Sequence, residues 1–316
     1  MSDTWVAVLA GGLSHEREVS LRSGRRLSAA LRGAGVTVDE WDADAHLVGR
    51  LRDRQRPDAV IVALHGGEGE NGAVQNVLEM LRVPYVGTDP RACRRAWDKP
   101  TAKAELARAG VATPDWVVLP HTTFRELGAQ SVLDAMVERL GLPLMLKPDQ
   151  GGSALGAQVV REASELPAAM VGCLAYGDTV LAETFVQGVE VSVTVIDGPD
   201  GPEALPAVEI VAENGVYDYT ARYTAGLTTF HAPARLAPET AERVGALAVN
   251  AHRLLGLRDV SRTDAIVDGD GEVQFLEVNV SPGLTETSML PMAVEASGRS
   301  LGDVFSGLID RAIARG

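Results

Sequence analysis

Glu277 and Asn279 stand two residues apart in Gln274-Phe275-Leu276-Glu277-Val278-Asn279-Val280, where alternation and the β-branched Val278 and Val280 predict a strand. A carboxylate and a carboxamide oxygen then share one face. Upstream, Val260 to Val267 alternates in the same way, and Asp268-Gly269-Asp270-Gly271 between the two runs predicts a turn. An antiparallel hairpin follows, with Asp264 on the face of Glu277 and Asn279. Oxygen-only ligands suit a hard cation such as Mg2+, which takes one or two protein carboxylates and leaves its other positions to water and phosphate oxygens. The same pattern also fits an ordinary hairpin with a solvated polar face. Ser281-Pro282-Gly283 ends the strand in a turn whose glycine lets backbone N–H groups approach a ligand.

Among 29 basic residues only three are lysines, Lys99, Lys103 and Lys147. Where Arg serves almost every generic positive charge, each compact ammonium draws attention as a phosphate contact. Lys103 also fits a helix surface. Lys147 ends a predicted strand and is followed by Pro148-Asp149-Gln150-Gly151-Gly152-Ser153-Ala154-Leu155-Gly156, a flexible loop with the backbone donors and hinge of a lid over phosphates. Glu16 lies at the start of a helix, just past the first strand, where open α/β sheets bind ligands; a first-turn Glu also complements the helix dipole. His65 opens His65-Gly66-Gly67-Glu68-Gly69-Glu70-Asn71-Gly72, a glycine-rich turn at another strand end.

These residues need elements to hold them. Trp5 to Leu9, a glycine turn and a helical pattern from Ser14 to Leu31 open a βαβ unit, with further strands at 36–41, 57–64 and 84–87. The first turn lacks G-x-G-x-x-G, and the absence of any Gly-Lys pair excludes a Walker A loop. Residues 89–110 are helical, broken at Asp98-Lys99-Pro100. Strands at 111–119, 142–147, 158–161 and 179–186 surround a helix at 132–140. The last strand ends in Glu183-Thr184-Phe185-Val186, a mixture of polar and aromatic groups suited to an adenine edge. Beyond a strand at 191–196, residues 209–230 show no periodicity and read as a long functional loop. An amphipathic helix at 237–255 precedes the hairpin, and helices close the tail. The expected organisation is α/β in three domains, 1–87, 88–186 and 187–316.

A 46% hydrophobic fraction over 316 residues supports a sizeable core and excludes global disorder. The net charge of -14 argues against nucleic acid as a partner. No signal peptide or membrane anchor is expected, and Cys93 and Cys173, without ligand spacing, are expected as free thiols in a reducing, cytoplasmic setting.

Taken together, Gly11-Gly12 through His15-Glu16-Arg17-Glu18-Val19-Ser20, Ala63-Leu64-His65-Gly66, Tyr217-Asp218-Tyr219 and Leu276-Glu277-Val278-Asn279 with Ser281-Pro282-Gly283 give the chain its resemblance. It resembles the D-alanine-D-alanine ligases of the ATP-grasp superfamily over essentially its whole length. The resemblance implies an N-terminal Rossmann-like domain for the first D-alanine, central and C-terminal α+β domains sandwiching ATP, and two Mg2+ (or Mn2+) ions bridging its phosphates. It implies ligation of two D-alanines through a D-alanyl phosphate for peptidoglycan precursor synthesis. Matched position by position, Glu16 anchors the first ammonium with His65 nearby, while Lys99, Lys147 and Arg222 meet phosphates. Glu183, Thr184, Phe185, Val186 and Glu190 hold adenosine, and Asp264, Glu277 and Asn279 hold the metals. Ser288 and Met289 hold the second carboxylate, Arg262 and the Gly283 N–H stabilise the tetrahedral oxyanion, and Glu16, Ser153 and Tyr223 form a latch across the closed loops. The family is often dimeric, so a homodimer is implied.

Two positions depart from the family pattern. Ala154 replaces a second small hydroxyl residue in the lid, worth about 0.5–1.5 kcal/mol as one hydrogen bond. Arg222 replaces a Lys, keeping the charge and adding a two-pronged grip on phosphate. A related ATP-grasp ligase making another dipeptide or a depsipeptide fits the same residues, whereas a non-catalytic nucleotide binder fits poorly because every metal and phosphate position is filled.

Overall fold

A computed structural model describes residues 4–224 and 226–316, and Tyr223 by its backbone alone. The chain opens with β1 (Trp5–Ala10), α1 (Arg17–Gly33), β2 (Thr37–Asp42), α2 (Leu47–Leu51), β3 (Ala59–Val62), α3 (Ala73–Met80) and β4 (Tyr85–Val86). The four strands form an all-parallel sheet in the order β2-β1-β3-β4. Val6 to Leu9 on β1 are wholly buried, as expected of a parallel strand covered on both faces.

Next come α4 (Pro90–Trp97) and α5 (Lys99–Arg108). The expected break between them is present, and its cause is local. Asp98 leaves helical geometry, and its carboxylate accepts from the Thr101 N–H at 2.8 Å, capping α5 with Pro100 in the first turn. Lys99 is thereby fixed at a helix start. The second sheet is built from β5 (Trp116–Pro120), helices α6 (His121–Leu127) and α7 (Ala129–Leu140), β6 (Leu144–Pro148), β7 (Gln158–Val160), α8 (Leu166–Leu174) and β8 (Thr179–Thr184). Its order is β5-β8-β6-β7, all antiparallel, over a core that includes Leu144, Leu146 and Val180.

The third sheet holds β9 (Gly188–Gly198), β10 (Gly201–Ala204), β11 (Val208–Ala212) and, beyond α9 (Tyr219–Tyr223), β12 (Thr228–His231). After α10 (Pro238–Leu254) it is completed by β13 (Val260–Asp268) and β14 (Val273–Asn279), and α11 (Met289–Ala296) and α12 (Leu301–Arg315) end the chain. Residues 209–230 are therefore not one long loop. β11 escaped the alternation test because Val208, Glu209 and Ile210 are buried in succession, and Glu209 is masked as a core residue by its pairing with Arg235 at 2.6 Å. α12 reaches across to the first sheet: Phe305, Leu308, Ile309 and Ala312 share one core with Val8, Leu27, Leu31 and Ile61 of the first and with Ile196, Val208 and Ile210 of the third. Cys93 and Cys173 are buried free thiols.

Candidate active site

The hairpin forms as expected, with Asp264 opposite Glu277 and Arg262 opposite Asn279. A register irregularity follows Asp264, a bulge of the kind that re-aims side chains beside sites. The Arg262 guanidinium grips Asp264 through two bonds of 2.9 and 2.7 Å, and Ser192 donates to the same carboxylate at 2.8 Å. Asn279 Oδ1 accepts from the Ser281 N–H at 2.8 Å. Burial acts to raise the Glu277 carboxyl, but Lys99, 3.6 Å away, with Lys147, Arg262 and Arg222, pulls it down to about 2. Glu190 responds oppositely and is pushed up to about 8 by burial and then by Asp264. Among the described residues no three His, Cys, Asp or Glu side chains gather as a metal cage. What the hairpin offers is two carboxylates and a carboxamide. That hard-oxygen set fits a Mg2+ or Mn2+ ion whose remaining ligands are phosphate and water.

All three lysines converge on this region. Lys147 at the end of β6 lies 2.5 Å from Glu183 Oε2, and Lys103 lies 2.5 Å from Glu183 Oε1. Lys103 is not a helix-surface residue. It is fully buried, and its ammonium also donates to Thr113 Oγ1 at 2.6 Å. Its position depends on Glu183, eighty residues later, so no local pattern exposed it; the scarcity of lysine was the available signal. Lys99 donates to the Gly151 carbonyl at 2.7 Å, which ties the lid loop to the start of α5.

A cavity of about 440 Å³ opens between the second and third sheets. Met145, Phe185, Val186, Ile210 and Leu276 give it apolar walls, and Lys147, Glu183, Thr184 and Glu190 also border it. Lys99, Arg222 and Glu277 line both this cavity and a smaller one against the first sheet, so the two spaces adjoin at the charged residues. The Arg222 guanidinium stacks 4.5 Å from the Tyr217 ring centre.

The smaller cavity collects Glu16, His65, Arg262, Gly283, Ser288 and Met289. Ser153 donates a short hydrogen bond to Glu16, so the lid loop is drawn onto the first sheet. Two glycines make room for that carboxylate: a Cβ at Gly66 would lie 2.5 Å from Glu16 Oε2, and one at Gly152 would lie 2.9 Å from it. Ser153 and Ala154 both hold left-handed backbone, φ 54° and 53°. The Tyr223 side chain, expected as the third member of the latch, lies outside the described residues. His65 is present, but as a brace. Its Nδ1–H must donate to the Ser281 carbonyl at 2.9 Å, leaving Nε2 to accept from Ser23 at 2.8 Å, and burial depresses its pKa. Ser23 in turn accepts from the Leu284 N–H at 3.1 Å, linking α1 to the turn that carries Gly283. Glu70, outside the expected ligand set, accepts from the Gly66 N–H at 2.8 Å and is pushed up to about 8 by burial and by Glu16.

Two antiparallel sheets closing on a charged cavity, with a parallel sheet beside them, define an ATP-grasp fold. Solved structures share this arrangement. A Bacillus anthracis D-alanine--D-alanine ligase complexed with ATP superposes with a TM-score of 0.81 at 27% identity, covering 99% of this chain and 98% of its own. The VanG D-Ala:D-Ser ligase from Enterococcus faecalis gives 0.84 at 26%, covering 98% and 100%. In sequence, a D-alanine--D-alanine ligase from Moorella thermoacetica is 39% identical over 308 residues, 98% of this chain and 99% of its own. Family models described as D-ala D-ala ligase N-terminus and C-terminus match residues 37–88 and 106–310. The chain belongs to the D-alanine-D-alanine ligase family.

Proposed function

We propose that the protein is an ATP-dependent, ADP-forming ligase that joins two D-alanines through a D-alanyl phosphate, supplying peptidoglycan precursors. The observation that carries this reading is the junction of the two cavities at Lys99, Arg222 and Glu277, where a phosphoryl group leaving a nucleotide meets a carboxylate held from the first sheet. In this reading adenosine occupies the apolar-walled cavity, with Glu183, Thr184, Phe185, Val186 and Glu190 around it. Lys99, Lys147 and Arg222 neutralise phosphate charge. Asp264, Glu277 and Asn279 would hold two Mg2+ or Mn2+ ions, which would supply positive charge to phosphate oxygens where negative charge builds.

Glu16 takes the ammonium of the first D-alanine, and its bond to Ser153 brings the lid down as that substrate binds. Closure keeps water from the acyl phosphate. Arg262 and the Gly283 N–H receive the tetrahedral oxyanion, while Ser288 and Met289 position the second substrate's carboxylate. His65 acts at one remove, bracing the Ser281–Gly283 turn. The three expected domains correspond in this reading to the first-substrate unit and the two halves of the nucleotide clamp. No helix among the described residues is long and apolar enough to cross a membrane. A cytoplasmic location and a homodimeric state belong to the same proposal.

The test is product analysis by mass spectrometry after incubation with ATP, Mg2+ and a panel of D- and L-amino acids and D-hydroxy acids. D-alanyl-D-alanine as the main product, with phosphate release driven by D-alanine and not L-alanine, is expected. A D-alanyl-D-serine or D-alanyl-D-lactate product would move the chain to another branch, and indifference to D-alanine would overturn the reading.

A further inference from the structure

Lys103 is the fully buried ammonium that the proposed chemistry leaves without a task. It does not border the nucleotide cavity, whereas Glu183 and Lys147 do. Its contacts are Glu183 at 2.5 Å, Thr113 at 2.6 Å and the Trp116 ring at 5.1 Å. The Thr113 hydroxyl donates a hydrogen bond to the Phe275 carbonyl at 2.8 Å, which anchors the group to β14, two residues from Glu277. Burying an ammonium is costly unless it is paired, and here the fold pairs it with a carboxylate that already has a lysine on its other oxygen.

We propose that Lys103 is a positioning residue for nucleotide selection: it holds the Glu183 carboxylate as a fixed acceptor for the 6-amino group of adenine. The inference rests on the nucleotide reading of the larger cavity. An ionised carboxylate only accepts hydrogen bonds, so it welcomes the N–H groups of a 6-aminopurine and repels the carbonyl oxygen of a 6-oxopurine. Without Lys103, Lys147 alone must balance Glu183. With Lys103 sharing that carboxylate, Lys147 keeps positive charge for phosphate. Two cations on one buried carboxylate thus serve two ends of one nucleotide.

The experiment is calorimetric titration of ADP and IDP, without D-alanine, into the wild type, Lys103→Met, Glu183→Gln and the double variant. The wild type is expected to prefer ADP clearly. Lys103→Met should narrow the preference by about tenfold, one hydrogen bond's worth of discrimination. Glu183→Gln should narrow it similarly, and the double variant no further than Glu183→Gln alone, because the two residues act through one carboxylate. Thr113→Val keeps every charge while loosening Lys103. It should shift the ratio the same way by less, and it decides the matter if Lys103→Met does not fold. Equal weakening of ADP and IDP by Lys103→Met, or effects that add in the double variant, would reduce Lys103 to a packing role. A wild type that binds neither nucleotide would overturn the nucleotide reading together with this inference.

Discussion

Ser153→Ala removes one hydroxyl from the lid and leaves its backbone torsions as they are. The hydroxyl donates to the Glu16 carboxylate, and Ser153 is buried at 6% exposure, so the bond is shielded from water. A hydrogen bond to a charged acceptor contributes about 1.5–3 kcal/mol, which corresponds to roughly 10- to 150-fold in the ratio of closed to open lid. If closure precedes phosphoryl transfer, kcat/KM for D-alanine should fall within that range, measured as D-alanine-dependent phosphate release. Ser153→Gly separates bond from backbone. It loses the same hydroxyl but relieves a residue held at φ 54°, a conformation costing about 1 kcal/mol with a side chain. The glycine variant should therefore be as slow as the alanine variant yet melt at a higher temperature. An alanine variant within twofold of wild-type kcat/KM would refute the latch argument, and melting temperatures in the reverse order would refute the strain argument.

Glu277→Gln keeps the shape of β14 while deleting the carboxylate that faces Lys99 and Lys147. Turnover should drop on the order of 100-fold or more at limiting Mg2+ with an unchanged circular dichroism spectrum, and chelation of the wild type should reproduce the loss reversibly. Glu70 has a folded-state pKa raised to about 8 against an ordinary 4.5, so the native state holds the proton more tightly and stability falls as pH rises between those values. Glu70→Gln, which mimics the protonated form and can still accept from Gly66, should flatten that decline in urea titrations run from pH 5 to 8; a decline unchanged by the substitution would refute the assignment. Arg315→Met takes its cation from the Asp259 carboxylate, which is wholly buried and gripped by Arg315 through two 2.7 Å bonds, and leaves the Gly87 N–H donating to it at 2.8 Å. Because Arg315 is about a third exposed, the loss should be about 2–3 kcal/mol, below the range for a fully buried pair, and chemical denaturation reads it directly.

The β13–β14 hairpin was legible because its polar positions interrupt β-branched runs at a spacing of two, and because glycines and aspartates mark the turn. The α4–α5 break was legible for a similar reason: Asp98 and Pro100 are a cap and a first-turn proline in immediate sequence. What failed to show depends on partners far along the chain. Lys103 needs Glu183, Glu209 needs Arg235, and the brace role of His65 needs Ser23 on one side and Ser281 on the other. The positive φ at Ser153 and Ala154 was equally hidden, since neither is a glycine. Periodicity reports which face a residue occupies; it carries no information about which distant charge will meet it.

The packing of α12 on the first sheet bears on how the chain is made. The ribosome releases β1 to β4 long before it reaches residues 301–315, yet Val8, Leu27, Leu31 and Ile61 share their core with Phe305, Leu308 and Ile309 of that last helix. Until that helix is made, the first sheet carries an uncovered apolar surface, the kind of surface on which nascent chains associate or recruit chaperones. Loss of α12, by a stop codon before it or by proteolysis, therefore strikes at the first sheet. Segments translated far apart in time thus complete one another's core.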